Sequence, residues 1–338
     1  MGTSRTFWDA DAVDFLPAWG MPGRPGDGLV EYPTDATRNV APIPCHSHND
    51  YMRRVPLFDA LHFGCTGVEA DVWLFEEELY VGHNKAALTK NRTLQNLYVN
   101  PLVQLLDHMN PTTDYTNSTA HGVFDMDPSQ SLVLLVDIKT DGRKTFPYVY
   151  RQLETLRSKD YLTYWDGSEV HARAITVVGT GNTPWDMLAA DKEHRDIFFD
   201  APLERLRGDH EEVGLPKERS SDVQMLPDQG TVGPEIAAFG VFDSSTSYWA
   251  SASFHHTVGS VWFGRLSYKQ KDIVRGHISN AKKLGLKARY WDTPSWPIDL
   301  RNYVWAVLVE EGVDVLNVDD LRGAAVGSWK SRVPGLWK

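Results

Sequence analysis

The chain alternates between short apolar runs and longer stretches in which apolar residues recur every three to four positions. Short apolar runs predict buried strands, and the three-to-four spacing predicts amphipathic helices. The predicted core strands lie in the segments NVAPIPCH, TGVEADVWL, SLVLLVDIK, AITVVGTG, DIFFDAPL, FGVFDSS, KARYWDTP and VDVLNVDD. A short extra strand, LYVGH, follows the second of these segments, and the small-residue segment DSSTSYWASAS is predicted to be a loop.

Helix-like stretches lie between these strands. They are PLFDALHFG, TFPYVYRQLETLRS, SYKQKDIVRGHISNAKKLG and DLRNYVWAVLVEEG. Strands that alternate with helices predict an α/β fold with a parallel sheet. A count of about eight core strands matches a closed TIM (β/α)8 barrel. A doubly wound open sheet would produce a similar alternation, so the barrel is favoured by the strand count and not by the periodicity.

The domain organisation is predicted to be simple. The barrel is expected to span residues 39–325 as a single domain. Residues 1–38 are rich in proline, glycine and aromatic residues and predict an irregular N-terminal arm, and residues 326–338 form a C-terminal tail. A chain of 338 residues could also hold two domains, but α/β barrels often fill this length as one unit.

The charge balance narrows the choice of partner. The chain has 34 Lys and Arg residues against 45 Asp and Glu residues, a formal net charge of −11. Proteins that bind nucleic acid present basic surfaces, so we expect no nucleic-acid partner. No apolar run approaches the roughly 18 residues that span a bilayer, so we expect no transmembrane segment. An acidic protein can still bind an anionic substrate where a metal ion reverses the local field.

The two cysteines, Cys45 and Cys65, lie in the first two predicted strands. On neighbouring strands, Cys65 would fall about three residues lower in register than Cys45, an offset of roughly 10 Å. Such an offset is too large for an undistorted disulfide. The spacing therefore favours two buried free thiols, and without a Cys-x-x-Cys pair we expect no zinc site built on cysteine.

Pairs of polar residues stand at the ends of the first three predicted core strands. The pairs are His46 and His48, Glu69 and Asp71, and Asp137 and Lys139. The members of each pair are two residues apart, and residues i and i+2 of a strand point to the same face. Because the carboxyl ends of the strands form the mouth of a TIM barrel, the pairs are predicted to meet there. His83, in the segment VGHNK, is expected to join them from the insertion after the second strand.

Carboxylates crowded in this way repel one another, and a divalent cation would relieve the repulsion. The predicted metal ligands are His46, His48, Asp50, Glu69, Asp71 and Asp137. Oxygen ligands suit Mg²⁺ or Ca²⁺, whereas histidine ligands shift the preference toward Zn²⁺ or Mn²⁺. Asp50 has a second interpretation, because an Asn-Asp pair after a strand is common turn chemistry.

The remaining polar residues are predicted to handle the substrate. Two histidines free of metal could act as general base and general acid, and Lys139 would compensate negative charge on the substrate. Substrate contacts are also predicted for residues at strand ends: Asn49, Asp200, Tyr290, Trp291 and Asn317. The two aromatic residues of this set are first of all packing residues, and they could also line a pocket for an apolar or choline-like group.

An ordered set of motifs resembles one known superfamily. The segments HSHND, GVEADVWL, LYVGHNK and LVDIK resemble the glycerophosphodiester phosphodiesterase and phosphatidylinositol phospholipase C-like barrels. Together with NRTLQNLYVNPL, RYWDTP and LNVDDL, they resemble more closely the fungal family named altered inheritance of mitochondria protein 6. The resemblance spans roughly residues 39–323.

The resemblance implies a metal-dependent phosphoric diester hydrolase that acts on phospholipids or glycerophosphodiesters in a phospholipase C-like reaction. It implies that His46 and His83 are the catalytic acid–base pair and that Lys139 contacts the phosphate. The implied metal ligands are Glu69, Asp71 and Asp137. A substrate of this class also implies transient contact with a membrane or lipid surface.

Two positions depart from the glycerophosphodiesterase pattern. Those enzymes usually carry Arg after the first histidine and Asp after the second, where this chain has Ser47 and Asn84. The additional His48, with Asp50, leaves room for a second metal ion. Spider-toxin phospholipase D relatives use a similar site of two histidines and three acids, so phospholipase D-type cleavage stays open as an alternative.

Two other functions compete with a phosphodiesterase. A His-x-His at the end of the first strand also opens amidohydrolase sites, which carry histidines at the ends of strands five and six and Asp at strand eight. Here those ends are predicted to carry Asp200, Asp243 and, at strand eight, Asn317 and Asp319, which disfavours that class. A non-catalytic barrel that binds lipid head groups is disfavoured by the intact set of acids and histidines.

The cellular location is only weakly indicated. Glycosylation sequons at Asn91 and Asn117 lean toward secretion or the secretory pathway. The N-terminus lacks the pattern of a signal peptide, and it fits the myristoylation pattern through Thr6. A cytoplasmic or membrane-associated location is therefore the alternative.

Overall fold

The computed structural model describes residues 36–117, 120–206 and 242–327. The strands in these ranges are β1 (Ile43–Ser47), β2 (Cys65–Phe75), β3 (Glu78–Val81), β4 (Leu132–Ile138), β5 (Tyr164–Trp165), β6 (Val170–His171), β7 (Ile175–Gly181), β8 (Ile197–Pro202), β9 (Ser247–Ser253), β10 (Lys287–Trp291) and β11 (Val315–Val318). Eight of the described strands pair in parallel, in the order β1-β2-β4-β7-β8-β9-β10-β11. Because β1 pairs with both β2 and β11, the sheet closes on itself. The predicted α/β fold, a TIM barrel, is confirmed.

The described helices are α1 (Phe58–His62), α2 (Asn100–Met109), α3 (Gly142–Gln152), α4 (Glu154–Ser158), α5 (Trp185–Leu188), α6 (Phe254–Thr257), α7 (Tyr268–Lys283), α8 (Ile298–Glu311) and α9 (Leu321–Ala325). Short 3-10 turns occupy Asp50–Met52, Lys85–Ala87, Leu203–Arg205 and Trp262–Gly264, and a π-helical turn spans Gln95–Val99. None of the helices in the described ranges is both long enough and apolar enough to cross a membrane.

Two strand pairs lie beside the barrel. β3 pairs antiparallel with β2, which confirms the extra strand predicted from LYVGH. β5 and β6 form a separate antiparallel ribbon. β3 runs back alongside the carboxyl end of β2, from Glu78 opposite Phe75 to Val81 opposite Val72, so the chain that follows it returns to the barrel mouth and carries His83 there.

Local sequence explains the start of α7 and the end of α8, the two longest of the described helices. At the start of α7, the Ser267 side chain accepts the backbone N–H of Gln270, and the Gln270 side chain accepts the backbone N–H of Ser267. This capping box satisfies two N–H groups that have no partner within the helix. α8 ends at Gly312, whose φ of 98° is easily reached by glycine. The predicted helices SYKQKDIVRGHISNAKKLG and DLRNYVWAVLVEEG are confirmed.

The interior of the barrel is filled by apolar side chains below the mouth. They are Val133, Leu135, Val178, Trp249 and Val315. Trp249 of β9 reaches across to Gly67 of β2, where a Cβ atom would lie 3.0 Å from the indole and 2.8 Å from His46 Nδ1. Glycine at this position therefore leaves the space that Trp249 occupies.

The prediction of a loop at DSSTSYWASAS is wrong, because this segment contains β9, the sixth barrel strand. Small residues have little preference for strands, but here they are buried between β8 and β10 and paired with both. The strand predicted from FGVFDSS lies partly outside the described residues, and its described part, residues 242–245, is not a strand. Asp243 lies in the turn before β9, where its carbonyl accepts the N–H of Ser247, so it stands at the amino end of the barrel and away from the mouth.

The prediction of free thiols is wrong as well. Cys45 and Cys65 form a disulfide, with 4.7 Å between their Cα atoms. Cys65 is paired with Ile43, and the register between β1 and β2 shifts between Ile43 and His46. This irregularity adds one residue to β1, which brings Cys45 beside Cys65. The prediction assumed an offset of about three residues, whereas Cys65 lies opposite Ile43, two residues before Cys45, and the irregular register reduces the separation further.

Most of the predicted arm and tail lies outside the described residues. The arm was placed at residues 1–38, of which 1–35 are not described, and the tail at 326–338, of which 328–338 are not described. Thr37, close to the start of the described residues, is buried, and its hydroxyl donates to the carbonyl of Val123 at 2.7 Å. The domain limits and the myristoylation pattern stay predictions.

Candidate active site

A pocket opens at the carboxyl ends of the barrel strands. It is lined by His48, Asn49, Glu69, Asp71, His83, Asp137, Lys139, Thr180, Asp200, Arg289 and Trp291. These residues come from six of the eight barrel strands or the segments that follow them, so the pocket exists only in the closed barrel. Its position is that of the active site in TIM-barrel enzymes.

Three carboxylates form a buried cluster on one side of the pocket. Glu69 and Asp71 point inward from β2, and Asp137 lies level with Asp71 on β4. One carboxylate oxygen of each residue lies within 4.8 Å of the others. Oδ1 of Asp71 and Oδ1 of Asp137 are buried and have no hydrogen-bond partner among the described residues. The alternation of side chains along the two strands brings these acids together, as their two-residue spacing predicts.

The proximity of these acids changes their proton affinities. Burial, together with the charges of Asp137 and Glu69, raises the pKa of Asp71 well above its ordinary value. Burial also raises the pKa of Asp137, although Lys139 opposes the change. Glu69 differs, because its two histidine neighbours outweigh burial and lower its pKa. The raised pKa values of the two aspartates indicate that their protein surroundings do not fully neutralise three ionised carboxylates at this place.

Lys139 is the cation inside this cluster. Its Nζ lies 2.9 Å from Asp137 and 3.2 Å from Asp71. Burial lowers the pKa of Lys139, but the two aspartates outweigh burial and raise it, so the side chain carries its charge at neutral pH. One ammonium group between two aspartates leaves the third carboxylate, Glu69, to other partners.

Two histidines stand at different carboxylates on the pocket wall. His48 Nε2 lies 3.9 Å from Glu69, and His48 Nδ1 lies 2.8 Å from Asp319. His83 Nδ1 lies 4.0 Å from Asp71. Burial lowers the pKa of His48, but Glu69 and Asp319 outweigh it, so the pKa is raised from its ordinary value. Asp319 thus orients the imidazole and favours its protonated form.

His46 lies deeper than the pocket. It is fully buried, and neither ring nitrogen has a hydrogen-bond partner among the described residues. Its Nε2 is 3.8 Å from Glu69, and its ring meets the edge of Trp249 with 5.0 Å between ring centroids. Burial and the charge of Arg289 lower the pKa of His46 to about 4. The structure therefore brings His46 to the underside of the acid cluster, whereas His48 reaches the pocket itself.

The turn after β1 supports the acids from the side. The backbone N–H of Asn49 donates to Glu69 at 2.8 Å, and the hydroxyl of Tyr51 donates to Asp71 at 2.7 Å. Asn49 has a φ of 49°, a left-handed conformation that asparagine adopts more readily than most residues. Tyr51 is a site residue that the sequence analysis missed, and its position two residues after Asn49 was the available signal.

Asp50 is turned away from the pocket. It is fully buried and accepts the backbone N–H of Leu57 at 2.6 Å and the hydroxyl of Tyr98 at 3.1 Å. Burial raises its pKa to about 6. Among the two interpretations that the sequence allowed, this geometry favours the turn former, because Asp50 ties the chain after β1 to α1 and to the segment before α2.

The opposite wall of the pocket is built around Arg289 of β10, which the sequence analysis also missed. Its guanidinium donates to Asn317 at 2.9 and 3.2 Å and to Ser251 at 3.1 Å, and it lies 3.6 Å from Asp200. Ser251 in turn donates to Asp200 at 2.7 Å. Burial raises the pKa of Asp200 to about 6. The sequence carries little signal for Arg289, because it is a single basic residue in the strand segment KARYW, next to the aromatic pair.

The two aromatic residues at the end of β10 point in opposite directions. Trp291 lines the pocket, as predicted from its position. Tyr290 is buried on the outer face of the barrel, where its hydroxyl lies 2.9 Å from His277 of α7. Because neighbouring residues of a strand face opposite sides, only one of the pair could reach the substrate. Asn317 reaches the pocket only through its contact with Arg289.

The chain is similar to known fungal proteins over most of its length. Residues 34–200 match the family profile described as AIM6-like phosphodiesterase domain. The altered inheritance of mitochondria protein 6 homolog of Arthroderma benhamiae is 39% identical over 307 residues, which cover 88% of this chain and 87% of the relative. The chain belongs to the altered inheritance of mitochondria protein 6 family.

Further relatives extend the match. Altered inheritance of mitochondria protein 6 of Eremothecium gossypii is 32% identical over 304 residues, which cover 88% of this chain and 72% of the relative. The protein of the same name from Saccharomyces cerevisiae is 31% identical over 300 residues, which cover 84% of this chain and 70% of the relative. No solved structure matches this chain. The predicted resemblance is confirmed, and the domain is of a phosphodiesterase type.

In this member of the altered inheritance of mitochondria protein 6 family, the three buried acids fit a divalent cation. They offer oxygen ligands from one side, and two of their oxygens lack any other partner among the described residues. Hard cations such as Mg²⁺ and Ca²⁺ prefer such ligands, and the adjacent His48 would suit Zn²⁺ or Mn²⁺. A second group of possible ligands, Asp166, Glu169 and His171, is largely exposed and internally hydrogen bonded.

Proposed function

We propose that this protein is a metal-dependent phosphoric diester hydrolase that acts on phospholipids or glycerophosphodiesters in a phospholipase C-like reaction. The observation that carries the proposal is the convergence of three buried carboxylates, one lysine and two histidines on a single pocket. The family match supports the reaction class. A binding module would have no need for carboxylates with unsatisfied buried oxygens, since their burial is costly.

Glu69, Asp71 and Asp137 are the proposed metal ligands. A divalent cation held there would supply Lewis-acid stabilisation of the negative charge on a phosphodiester oxygen. The three acids would fix the position of the cation, because their side chains are buried on strands of the barrel. Lys139 neutralises part of the cluster and directs its ammonium group toward the same space, where it would hold a phosphate oxygen.

The acid–base pair is proposed to be His48 and His83. Both line the pocket, whereas His46 is fully buried below Glu69. His48 is held by Asp319 and stands beside Glu69, and His83 stands beside Asp71, so the two imidazoles approach a bound phosphodiester from different sides. One would remove a proton from the attacking water, or from a substrate hydroxyl whose cyclic ester water then opens, and the other would donate a proton to the leaving oxygen. His46, which the family resemblance suggested, is proposed to support Glu69.

Arg289 and Trp291 are the proposed contacts for the substrate. The guanidinium of Arg289 has five N–H groups, of which three are used by Asn317 and Ser251. Arg289 also lies 3.6 Å from Asp200, and its N–H groups that do not bind Asn317 or Ser251 are proposed to hold a phosphate oxygen. Trp291 gives the pocket an aromatic wall, which suits an apolar or quaternary ammonium group of a lipid. An amidohydrolase is not favoured, since Asp200 and not histidine stands at the end of the fifth barrel strand.

A location in the secretory pathway or outside the cell is part of the proposal. The disulfide between Cys45 and Cys65 supports it, because disulfides persist in oxidising compartments and are rare in the cytosol. Asn91, in one of the two sequons, is exposed and accessible to a glycosylating enzyme.

The test is turnover of bis(4-nitrophenyl) phosphate by the purified protein, with and without a chelator. We expect hydrolysis that the chelator abolishes and that Mg²⁺, Mn²⁺, Ca²⁺ or Zn²⁺ restores. Asp137→Asn should remove it, whereas the matched change Asp114→Asn, on an exposed loop at the other end of the barrel, should not. Hydrolysis that persists in chelator would contradict the proposed metal dependence. No hydrolysis under any condition would contradict the proposed phosphodiesterase activity. Products from phosphatidylcholine then identify which side of the phosphate is cleaved.

A further inference from the structure

Large aromatic side chains are exposed on two loops beside the pocket. Trp262 and Phe263, between α6 and α7, are 74% and 102% exposed, and Tyr268, at the start of α7, is 92% exposed. Trp296, between β10 and α8, is 74% exposed. We call these four residues the aromatic rim. Soluble proteins rarely leave several large aromatic residues of one region in water without a function.

The two loops of the aromatic rim are neighbours at the barrel mouth. They follow β9 and β10, which are paired up to their carboxyl ends, where Ser253 lies opposite Trp291. The backbone N–H of Leu266 donates to the hydroxyl of Tyr303 in α8, which joins the first loop to the helix that begins just after Trp296. Trp291, five residues before Trp296, lines the pocket. The aromatic rim therefore stands on the same face of the barrel as the pocket and next to its aromatic wall.

The first loop is built to present its aromatic residues outward. Leu266 anchors it in the core and is 7% exposed. Phe263 and Gly264 have φ values of 53° and 69°, so the chain turns through two left-handed positions at its tip. This conformation is unfavourable for phenylalanine, and the ring is fully exposed and not buried against the described part of the chain. Strain of this kind is typically retained where a residue has a function.

The end of this loop and the first turn of α7 carry a charge opposite to that of the protein. The segment 262–271 contains three basic residues and no acidic residue, in a chain with a formal net charge of −11. Two of its basic residues, Arg265 and Lys269, are exposed beside the aromatic rim. Aromatic residues prefer the interfacial region of a bilayer, and basic residues are attracted to anionic lipids by about 1 kcal/mol each. The combination matches a bilayer with anionic head groups.

We propose that the aromatic rim, with Arg265 and Lys269, docks the protein onto the surface of a bilayer that contains anionic phospholipid. Trp262 and Phe263 insert at the level of the head groups, and the pocket mouth then faces the membrane. That this contact presents the substrate rests on the proposed function. The membrane contact itself does not, because it depends only on the aromatic rim and its charges.

The first experiment measures binding of the full chain to vesicles of phosphatidylcholine mixed with phosphatidylserine, in the presence of chelator so that no lipid is hydrolysed. Trp262→Ala combined with Phe263→Ala should weaken binding by about 10- to 100-fold, because each aromatic side chain loses its burial in the interface. Tyr115→Ala removes an aromatic residue that is 97% exposed at the opposite end of the barrel, and it should leave binding unchanged. The unfolding midpoint of each variant verifies that it is folded.

The second experiment tests the charges. Arg265→Gln combined with Lys269→Gln should weaken binding to the mixed vesicles by about tenfold or more, and added salt should have the same effect. Binding to vesicles of phosphatidylcholine alone should be weak in all variants. Equal vesicle binding by wild type and the aromatic variant would overturn the proposal. Self-association through this surface, with no vesicle binding, would assign it to a second copy of the chain and also overturn it.

The two proposals fail in different ways. If the protein binds mixed vesicles but never hydrolyses a soluble phosphodiester, the docking surface stands and the proposed function falls. If it hydrolyses the soluble diester but does not bind vesicles, the proposed function stands and the docking surface falls.

Discussion

The two halves of the pocket handle buried charge in opposite ways. On the side of β2 and β4, three carboxylates face one another with Lys139 as the cation between them. On the side of β8 and β10, Asp200 is matched by Arg289 and by the hydroxyl of Ser251. The first half, which we call the acidic half, leaves buried carboxylate oxygens without partners among the described residues. In the second, the balanced half, the charges of Asp200 and Arg289 nearly cancel. The imbalance indicates where a cation belongs and hence where the chemistry is expected, and the balanced half is suited to holding the substrate.

The largest expected effect is on kcat/KM and concerns the two histidines beside Glu69 in the acidic half. His48→Gln should lower kcat/KM for a soluble phosphodiester by about 10²- to 10⁴-fold, because it removes a proton-transfer group from the pocket wall. His46→Gln should lower it by about tenfold or less, since His46 lies below the acids and outside the pocket.

The comparison requires that both histidine variants fold, which the unfolding midpoint measures. A folded His46→Gln protein that loses as much activity as His48→Gln would show that the deeper histidine carries the chemistry. The assignment that the family resemblance suggested would then be correct.

The next effect concerns the stability that the disulfide between β1 and β2 gives to the acidic half. Cys45→Ala combined with Cys65→Ala removes a disulfide that closes a loop of 20 residues. We expect the free energy of unfolding to fall by about 3 kcal/mol, because the unfolded chain gains conformational freedom. Denaturant unfolding measures the change. An equal unfolding midpoint with and without reductant in the wild type would contradict a stabilising disulfide.

A smaller effect concerns the proton affinity of the balanced half. Burial raises the pKa of Asp200 from 3.8 to about 6, so the folded protein binds this proton more tightly than the unfolded chain does. Stability contributed by this group is therefore lost as the pH rises through that window. Relative to Asp200→Asn, the wild type should lose about 2 to 3 kcal/mol of unfolding free energy between pH 4 and 7. Parallel stability curves for the two proteins, measured in chelator, would contradict the raised pKa.

The smallest effect expected in the pocket concerns Arg289. Lysine keeps the charge but cannot reproduce the planar fork that holds Asn317 and Ser251. Arg289→Lys should therefore lower kcat/KM by about 10- to 30-fold, mainly through KM if this half binds the substrate. A change in kcat alone would move Arg289 into the chemical step and weaken the division between the two halves.

The same division limits what the sequence could predict. The acidic half was predictable, because Glu69, Asp71, Asp137 and Lys139 stand at strand ends in pairs whose spacing determines a shared face. The balanced half was not, since Arg289 is one basic residue in an apolar run, and its partners come from strands far apart in the chain.

Other errors had a common physical cause. The loop predicted at β9 and the free thiols predicted at Cys45 and Cys65 both depended on local rules. β9 is a strand because its neighbours bury it, and the disulfide forms because the register of β1 shifts. Tertiary context decides both features, and a single sequence carries no signal for either.

The central claim is that the buried acids bind a divalent cation, and calorimetric titration of the chelator-stripped protein tests it most directly. We expect at least one of Mg²⁺, Mn²⁺, Ca²⁺ and Zn²⁺ to bind to the wild type, and Asp137→Asn to weaken that binding by at least about tenfold. Asp114→Asn should bind the same ion as the wild type does. A wild-type protein that binds none of the four ions, or that binds one no better than Asp137→Asn does, would contradict the account.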